Sequence, residues 1–305
     1  MAEPACGAGE VLVDVRAAGL NFPDVLLTRG KYQFKPAPPF SPGGEGAGVV
    51  SAVGAGVSEF SPGDRVAFTT IYGAFAERVV LPAMALVKLP DAVSFEIGAV
   101  TLLTYLTDMH ALVDRAALRA GETLLVLGAA GGVGVAAIQI GKMLGAKVIT
   151  AASSDEKLAF CKENGADSTV NYAREDLKER VKALTDGAGA NVIFDPVGGA
   201  YSEPALRAIA WEGRYLVVGF AAGDIPKVPL NLALLKGCQI VGVFWGQFAM
   251  REPAKNRAHA ERVLAAVAEG KLAPRIDATF PFARAAEALE RMEQRKVLGK
   301  IVLVP

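Results

Sequence analysis

The chain has 305 residues, a length typical of two domains with a large hydrophobic core. Hydrophobic residues make up 52% of it and charged residues 21%, a composition that excludes an intrinsically disordered protein. Lys and Arg together number 32, as do Asp and Glu, and this balance argues against a nucleic-acid partner and against a polybasic membrane anchor.

The cysteines and the apolar segments bear on the cellular compartment. Cys6, Cys161 and Cys238 are scattered and form no Cys-x-x-Cys pair, which argues against a disulfide framework and favours the reducing cytoplasm. The first ten residues lack the apolar core of a signal peptide. Residues 124–141 are uncharged and long enough to span a bilayer, but their five glycines favour a strand, a turn and a buried helix, so we expect no membrane span.

Residues 10–90 have the pattern of short β-strands separated by turns. Polar and apolar residues alternate in several segments, as they do in half-buried strands, and Ser61-Pro62-Gly63-Asp64 has the composition of a turn. The region is therefore predicted to form a small antiparallel barrel or sandwich. The predicted strands are 10–16, 46–53, 65–68 and 73–81.

After Pro90 the pattern changes to alternating helices and strands. A helix is predicted over 94–118 with Ser94 as its N-cap. Nearly continuous apolar runs at βα spacing then predict a parallel sheet covered on both faces. Its predicted strands are 124–127, 147–151, 168–172, 191–195, 214–218 and 239–243, with helices at 135–144 and 155–164. The final elements, which return to the first region, are helices 258–269 and 283–295 and strands 275–280 and 300–304.

The predicted fold class is thus α/β, with a doubly wound, Rossmann-type parallel sheet and a second, antiparallel β domain. We place the β domain at residues 1–92, completed by residues 250–305. The dinucleotide-binding domain is placed at residues 93–249.

The strongest local signal is the glycine-rich turn Gly128–Gly134. It lies between a buried strand and an apolar helix, the context that a phosphate-binding turn requires. Free N–H groups at a helix N-terminus attract phosphates, and glycine lets the backbone approach a pyrophosphate closely. The alternative is an ordinary glycine turn of an α/β sheet. The residues predicted to hold the pyrophosphate are Ala130, Gly131, Gly132, Val133 and Gly134.

The end of the next strand indicates which dinucleotide binds. An NAD site usually has Asp or Glu there, about 20 residues after the glycine turn, to bind the ribose hydroxyls. This chain has Ser153 and Ser154, followed by Lys157 one turn into the helix. Hydroxyls and a cation suit a 2′-phosphate, so NADPH is the predicted cofactor. The alternative is that Ser153 caps the helix and Lys157 is a solvated surface charge.

Several motifs in order resemble the medium-chain dehydrogenase/reductase superfamily, and specifically its zinc-independent quinone oxidoreductase branch. The resemblance runs from about Glu10 to the C-terminus, and it identifies the β domain as the family's GroES-like catalytic domain. The motifs that carry it are residues 18–24, 42–48, 62–66, 128–134, 171–172, 195–199 and 299–303.

The resemblance also bears on zinc. The family's alcohol dehydrogenases have a catalytic cysteine where this chain has Asn21, and Gly-His-Glu where it has Gly43-Gly44-Glu45. The only histidines, His110 and His259, lie in separate predicted helices. Because a zinc ion needs about three protein ligands, no metal site is expected. Without a strong Lewis acid, acceptors that a hydride alone can reduce are favoured, so the resemblance implies NADPH-dependent reduction of a quinone or an enone.

The resemblance implies roles for individual residues. Asn21 would donate a hydrogen bond near the nicotinamide or the acceptor, and Tyr32 would line the cleft; the alternative for Asn21 is a turn residue. These two are the predicted catalytic residues. The further predicted cofactor-binding residues are Thr107, Tyr172, Gly219, Phe220, Phe244 and Lys300.

Each of these cofactor contacts has a simpler alternative. Thr104 and Thr107 could be polar positions on a helix surface, and Tyr172 could pack beside a strand end instead of stacking on the adenine. Phe244 and Trp245 could belong to the core or to a subunit contact, and Lys300 to the surface.

Two departures from the family pattern remain. The family's catalytic domain opens with a hairpin before the strand at Glu10, so either the start is truncated or this domain is shortened at its N-terminus. An unpaired strand edge there would lower stability or invite association. Met109 stands where relatives often have Tyr and cannot donate a proton. Solvent or a ribose hydroxyl is then left to protonate the product.

The sequence therefore predicts a cytoplasmic NADPH:quinone oxidoreductase that forms a homodimer through the strand 239–243. An enoyl-thioester or 2-alkenal reductase on the same scaffold is one alternative. A non-catalytic NADPH-binding protein is another, since fold alone does not establish function.

Overall fold

The computed structural model describes residues 4–305. The chain divides into two compact units, Met1–Leu106 with Glu252–Pro305 and Thr107–Arg251. The first boundary thus follows Leu106 rather than residue 92. None of the described helices is long and apolar enough to cross a membrane.

The first unit is built on a seven-stranded sheet in the order β12-β13-β1-β2-β3-β5, with β4 paired to β1. Its strand pairs are antiparallel except for β12 with β13. The core strand positions carry valine, leucine and phenylalanine side chains, among them Val13, Val66 and Phe68. The strands are β1 Glu10–Leu20, β2 Glu45–Val53, β3 Arg65–Thr69, β4 Arg78–Pro82, β5 Leu86–Lys88, β12 Ile276–Pro281 and β13 Lys300–Val304.

Among the described residues, four α-helices and part of a fifth belong to the first unit. They are α1 Phe22–Thr28, α2 Phe95–Ala99, α3 Leu102–Asp108 (shared with the second unit), α10 Pro253–Ala268 and α11 Ala285–Glu293, with 3₁₀ turns at Ala83–Ala85 and Phe282–Arg284. The first strand, β1, pairs with β2, β4 and β13.

The second unit is a six-stranded parallel sheet in the order β11-β10-β9-β6-β7-β8. Helices connect successive strands, as the predicted doubly wound fold requires. The strands are β6 Thr123–Leu127, β7 Lys147–Ala152, β8 Ser168–Asn171, β9 Ala190–Asp195, β10 Ile209–Val217 and β11 Gln239–Gly242. The helices are α4 Gly132–Met143, α5 Asp155–Glu163, α6 Leu177–Ala183, α7 Ser202–Arg207, α8 Asn231–Lys236 and α9 Trp245–Arg251, with a π-helix at Met109–Arg115 and a 3₁₀ turn at Gly199–Tyr201.

The predicted helix 94–118 is not continuous. Ser94 caps α2 as predicted, with its Oγ accepting the N–H of Ile97 at 3.2 Å. The helix then breaks near Thr101, whose hydroxyl bonds back to the Ile97 carbonyl at 2.6 Å, a contact that bends helices. The N–H of Leu103 is directed to the carboxylate of Glu45 at 2.9 Å. The break in the helix therefore directs the backbone N–H of Leu103 to the buried carboxylate of Glu45.

The predicted strand 73–81 begins only at Arg78. The N–H groups of Gly73 and Phe75 bond to the Pro42 carbonyl, and that of Ala74 bonds to the Gly43 carbonyl. Because these donors face a turn, residues 73–75 do not join a neighbouring strand, and contact with β1 begins at the Glu77 carbonyl, which accepts the N–H of Val15 at 2.8 Å.

Candidate active site

The glycine turn of the second unit has the geometry of a phosphate cradle. It connects the carboxyl end of β6 to α4, with Gly128 in the left-handed region at a φ of 57°. A β-carbon at Gly134 would lie 2.5 Å from the Ala129 carbonyl oxygen, so only glycine lets α4 pack this closely on the turn. Gly131 is the N-cap of α4 and has no side chain to accept the first N–H groups of the helix. The first N–H groups of α4 are therefore suited to bind an anion such as a phosphate.

Strand pairing brings the end of β7 next to this turn. Leu127 of β6 pairs with Ala151 of β7, and the N–H of Ala129 reaches the Ala151 carbonyl at 3.3 Å. Ser153 and Ser154 follow directly, and Ser154 caps α5 by accepting the N–H of Lys157 at 3.3 Å. Ser153 is exposed, while Lys157 is half-buried in the first turn of α5. The cap thus belongs to Ser154 and leaves the hydroxyl of Ser153 facing solvent.

Tyr172 follows β8 at the same edge of the sheet. Its N–H bonds to the Ala152 carbonyl at 3.2 Å, and its ring packs on that of Tyr201 with centroids 4.2 Å apart. The Tyr172 ring also contacts the hydrophobic core of the second unit. Tyr172 thus packs beside the strand end and is partly buried, and its stacking on the adenine stays a prediction.

Asp195, at the end of β9, accepts hydrogen bonds that hold the loop after this strand in place. This role was not assigned to Asp195 from the sequence. Its carboxylate accepts the N–H groups of Val197 and Gly198 at 2.8 and 2.9 Å, and the hydroxyls of Ser202 and Tyr215. Asp195 is 2% exposed. The loop packs on the glycine turn, because a β-carbon at Gly128 would meet Val197 at 2.6 Å. The sequence does contain a signal for this loop: an Asp at the end of an apolar strand, directly before Pro-Val-Gly-Gly.

The ends of β10 and β11 carry the remaining predicted residues of this unit. Gly219 follows β10, and its N–H reaches the Asp195 carbonyl at 3.3 Å, so it borders the Asp195 loop. Phe220 and Phe244 are 39% and 55% exposed. Thr107 lies half-buried in α3, apart from these strand ends in the chain. The strand order thus places the glycine turn, Ser153, Tyr172 and Gly219 along the carboxyl ends of the parallel strands.

In the first unit, strand register assembles a second group of residues. Gly19 of β1 pairs with Glu45 of β2, and Leu20 of β1 pairs with Ile301 of β13. Asn21, Glu45 and Lys300 therefore meet at one end of three adjacent strands.

Hydrogen bonds connect these side chains into one buried network. The Lys300 ammonium donates to Glu45 Oε1 at 2.7 Å and to Asn21 Oδ1. The Asn21 amide donates to Glu45 Oε1 at 2.9 Å and to the Gly19 carbonyl at 3.3 Å. The second Glu45 oxygen accepts the N–H of Leu103. The orientation of the Asn21 amide is therefore fixed by Lys300 on one side and by Glu45 on the other.

Asp24 adds a titratable group beside this network. It lies in the first turn of α1, is 2% exposed, and accepts the N–H of Asn21 at 2.8 Å through Oδ2. Burial is the largest influence and raises the pKa of Asp24 to about 7, against the lowering by the Asn21 N–H and by the charge of Lys300. Burial and the charge of Asp24 in turn raise the pKa of Tyr32.

The structure thus joins Asn21 with Asp24, and the charge of Asp24 also raises the pKa of Tyr32. It places Lys300 in the same buried network, where its ammonium is occupied by Glu45 and Asn21. Lys300 is 4% exposed, so the surface position given as its alternative is wrong, and the contact of Lys300 with the cofactor phosphates stays a prediction. Sequence reasoning missed Asp24 and the partnership of Glu45 with Lys300.

The described residues contain no group of three or more His, Cys, Asp and Glu side chains arranged to hold a metal ion. His110 lies in the π-helix, 3.0 Å from Asp114 Oδ2, with its ring stacked on Phe248. His259 is buried in α10. Cys6, Cys161 and Cys238 are free thiols.

Two family profiles match the chain. Residues 7–91 match the alcohol dehydrogenase GroES-like domain, and residues 132–261 match a family described as zinc-binding dehydrogenase. Together they cover most of both units.

Similar proteins include a quinone oxidoreductase-like protein 2 homolog of Nematostella vectensis, 43% identical over 97% of this chain and 82% of the relative. A quinone oxidoreductase of Pseudomonas aeruginosa is 39% identical over the whole chain and 93% of the relative. Among solved structures, the Escherichia coli quinone oxidoreductase complexed with NADPH is 30% identical, with a TM-score of 0.94 over the whole chain and 94% of that structure.

Proposed function

Because the chain belongs to the quinone oxidoreductase branch of the medium-chain dehydrogenase/reductase superfamily, we propose that it transfers a hydride from NADPH to a quinone or a related conjugated carbonyl. The observation that carries the proposal is the edge of the parallel sheet, where the glycine turn and Ser153 lie side by side. The oxidoreductase character follows from the family. The cofactor and the acceptor are the proposed parts.

The selectivity for NADPH rests on the end of β7. A carboxylate at this position would bind the ribose hydroxyls of NAD and repel a 2′-phosphate. Here the strand ends in Ala152 and is followed by the exposed hydroxyl of Ser153, with Lys157 one turn further on. A hydroxyl and an ammonium are the groups that bind a phosphate. The solved E. coli relative, whose complex contains NADPH, supports the same assignment.

The glycine turn fits the pyrophosphate of this cofactor. The nearest atom to a β-carbon at Gly131 would be 3.6 Å away, so the backbone at the N-terminus of α4 is accessible on that side. Ala130, Gly131, Gly132, Val133 and Gly134 would hold the pyrophosphate through the first N–H groups of α4 and the helix dipole, while the N–H of Gly131 itself bonds to the Gly128 carbonyl at 3.2 Å. Bound there, NADPH supplies the hydride, and the protein supplies position and exclusion of water.

We propose Asn21 and Tyr32 as the residues that act on the acceptor. The amide of Asn21 is oriented by Lys300 and Glu45, and its N–H groups are directed to Glu45 and to the Gly19 carbonyl, so its proposed role is to shape the acceptor site. Tyr32 is half-buried and provides a hydroxyl. Among the described residues the ligand groups for a metal ion are not assembled, which supports an acceptor that a hydride alone reduces.

The proposal includes a homodimer, formed through the edge strand β11. Within residues 4–305 this strand pairs with β10 alone, and Ile240 on it is 40% exposed. Leu230, Leu234 and Leu235, at and within α8, are 75%, 80% and 66% exposed, and apolar surface of this kind marks an association site. Light scattering at micromolar concentration should give twice the chain mass, and Ile240→Lys should give a monomer. The three free cysteines support the cytoplasmic location.

A screen of cofactors and acceptors tests the activity. The purified protein is mixed with NADPH or NADH and with either 1,4-benzoquinone or a 2-enoyl thioester, and cofactor oxidation is followed by absorbance. We expect oxidation of NADPH with the quinone and much slower oxidation of NADH. Faster turnover of the thioester would reassign the acceptor to the enoyl reductases. Cofactor binding without turnover of either acceptor would identify a non-catalytic binding protein.

A further inference from the structure

Asp155 places a negative charge beside the proposed site of the 2′-phosphate. It follows Ser153 and Ser154 as the first residue of α5, and its side chain is 68% exposed. A carboxylate close to the end of this strand can bind the ribose hydroxyls of NAD, and it repels a 2′-phosphate. Binding of NADPH here therefore needs a cation close to Asp155.

The turn after β8 supplies partners to both carboxylate oxygens of Asp155. Oδ1 accepts a hydrogen bond from the side-chain amide of Asn171 at 2.6 Å. Oδ2 pairs with Nη1 of Arg174 at 2.8 Å. The ribose hydroxyls of NAD would have to compete with these donors for the carboxylate. The acid that could select NAD is thus engaged by protein groups.

Asn171 holds this turn against the sheet. It is the last residue of β8, is 4% exposed, and pairs in the strand register with Ala152 at the end of β7. The Asn171 Oδ1 atom accepts the N–H of Ala173 at 3.2 Å, and the Asn171 carbonyl accepts the N–H of Arg174 at 3.0 Å. The backbone of Arg174 is therefore fixed next to the end of β7, two residues after Tyr172.

The guanidinium of Arg174 is accessible while it is paired. Its side chain is 73% exposed, and within residues 4–305 its ion pair with Asp155 uses Nη1, which leaves Nε and Nη2 as donors. An exposed pair of this kind adds at most about 1 kcal/mol to stability. A planar guanidinium binds a phosphate through two parallel hydrogen bonds. Arg174 can therefore keep its pair with Asp155 and bind an anion at the same time.

We propose that Arg174 is a second cation of the 2′-phosphate site and determines, together with Lys157, the preference for NADPH, an inference that rests on the proposed function. Lys157 lies in the first turn of α5, and Arg174 lies in the turn after the neighbouring strand, so the two cations come from different elements. Asp155 orients the guanidinium of Arg174. Asn171 is a positioning residue that holds Asp155 and the turn together.

Two pairs of ligands isolate the contribution of the 2′-phosphate. We measure dissociation constants of the full-length protein for NADPH and NADH, and for 2′,5′-ADP and 5′-AMP, which differ in the 2′-phosphate alone. Arg174→Ala should raise the Kd of NADPH and of 2′,5′-ADP by about 10–100-fold, because a charged donor to the phosphate is lost. The Kd of NADH and of 5′-AMP should stay within about twofold, because neither ligand has the group that Arg174 binds.

A double variant separates direct binding from neutralisation of Asp155. Asp155→Asn with Arg174→Ala should still bind NADPH about tenfold more weakly than the wild type, because the missing donor is not replaced. Full recovery of NADPH affinity would show that Arg174 only neutralises Asp155, and would overturn the inference. Equal weakening of NADPH and NADH by Arg174→Ala, or no weakening of either, would also overturn it.

Arg207→Ala is the matched control. Arg207 is an exposed arginine of the same unit that pairs with Glu203 in α7 at 2.6 Å, so its loss should change none of the four dissociation constants. The wild type separates the inference from the proposed function. A wild type that binds NADH as tightly as NADPH would overturn the proposed cofactor and the inference together, whereas a wild type that prefers NADPH leaves the inference to the variants.

Discussion

The Nζ atom of Lys300 lies 2.7 Å from Oε1 of Glu45, and the two side chains are 5% and 1% exposed. The sequence separates these residues by most of the chain, and the register of β1 with β2 and β13 unites them. An ion pair this deeply buried is held as a pair, because each charge alone would be costly to keep out of water.

Lys300→Met should therefore destabilise the protein by about 3–5 kcal/mol, since Glu45 would remain buried without its cation. Urea unfolding measures the loss. The double variant Glu45→Gln with Lys300→Met should recover most of it. NADPH affinity of the double variant should equal that of the wild type. If the affinity falls tenfold or more while stability is restored, Lys300 contacts the cofactor phosphates as the sequence predicted.

Lys157→Ala tests the assignment of the 2′-phosphate. The loss of a cation bonded to a phosphate should weaken NADPH binding by about 1.5–3 kcal/mol and leave NADH binding nearly unchanged. Fluorescence titration at constant ionic strength gives both dissociation constants. Lys162→Ala, at the other end of α5, is the control and should change neither. Equal weakening of NADPH and NADH by Lys157→Ala would show that the 2′-phosphate is held elsewhere.

Two glycines of the turn should respond differently to alanine. A β-carbon at Gly134 would lie 2.5 Å from a backbone oxygen, so Gly134→Ala should force α4 off the turn and lower the melting temperature. A β-carbon at Gly131 has its nearest neighbour at 3.6 Å, so Gly131→Ala should fold normally while obstructing the pyrophosphate. Calorimetry and NADPH titration of both variants check this. Normal NADPH affinity in a folded Gly131→Ala protein would contradict the proposal that the glycine turn binds the pyrophosphate.

Most of the second unit could be predicted from sequence because its signals are local. Apolar strands, βα spacing and the turn Gly128–Gly134 specify neighbours within a few tens of residues, and the strand Lys300–Val304 was also placed correctly. Two features were not predicted because they depend on residues that are distant in the sequence. The helix break near Thr101 accompanies the bond from Leu103 to Glu45, and the late start of β4 accompanies the bonds from residues 73–75 to the turn at Pro42.

The buried network was not predictable for the same reason. Asn21 was identified through a family motif, but nothing local connects it with Lys300, and their contact exists only once β1 pairs with β13. In the sequence, Asp24 resembles an ordinary acidic residue in the first turn of a short helix. Its raised pKa is a consequence of burial, which a single sequence does not specify.

The raised pKa of Asp24 predicts a pH dependence of stability. The folded protein binds this proton more tightly than the unfolded chain, whose carboxyl titrates near 3.8. The stabilisation is fully present below pH 3.8 and is lost as pH rises to about 7, so the free energy of unfolding should fall across this window by at most about 4 kcal/mol. Asp24→Asn should abolish that part of the dependence, measured as the difference between the two urea-unfolding curves. An identical dependence in the variant would mean that the pKa of Asp24 is the same in the folded and in the unfolded protein.

A single-turnover experiment tests hydride transfer from NADPH most directly. Enzyme saturated with NADPH is mixed with a limiting amount of 1,4-benzoquinone in a stopped-flow instrument, and the reaction is repeated with NADPH deuterated at the transferred position of nicotinamide C4. The account predicts rapid loss of NADPH absorbance in one phase, with a clearly slower rate for the deuterated cofactor. Absorbance that stays constant on mixing with quinone, or that decays no faster than in the absence of enzyme, would contradict it.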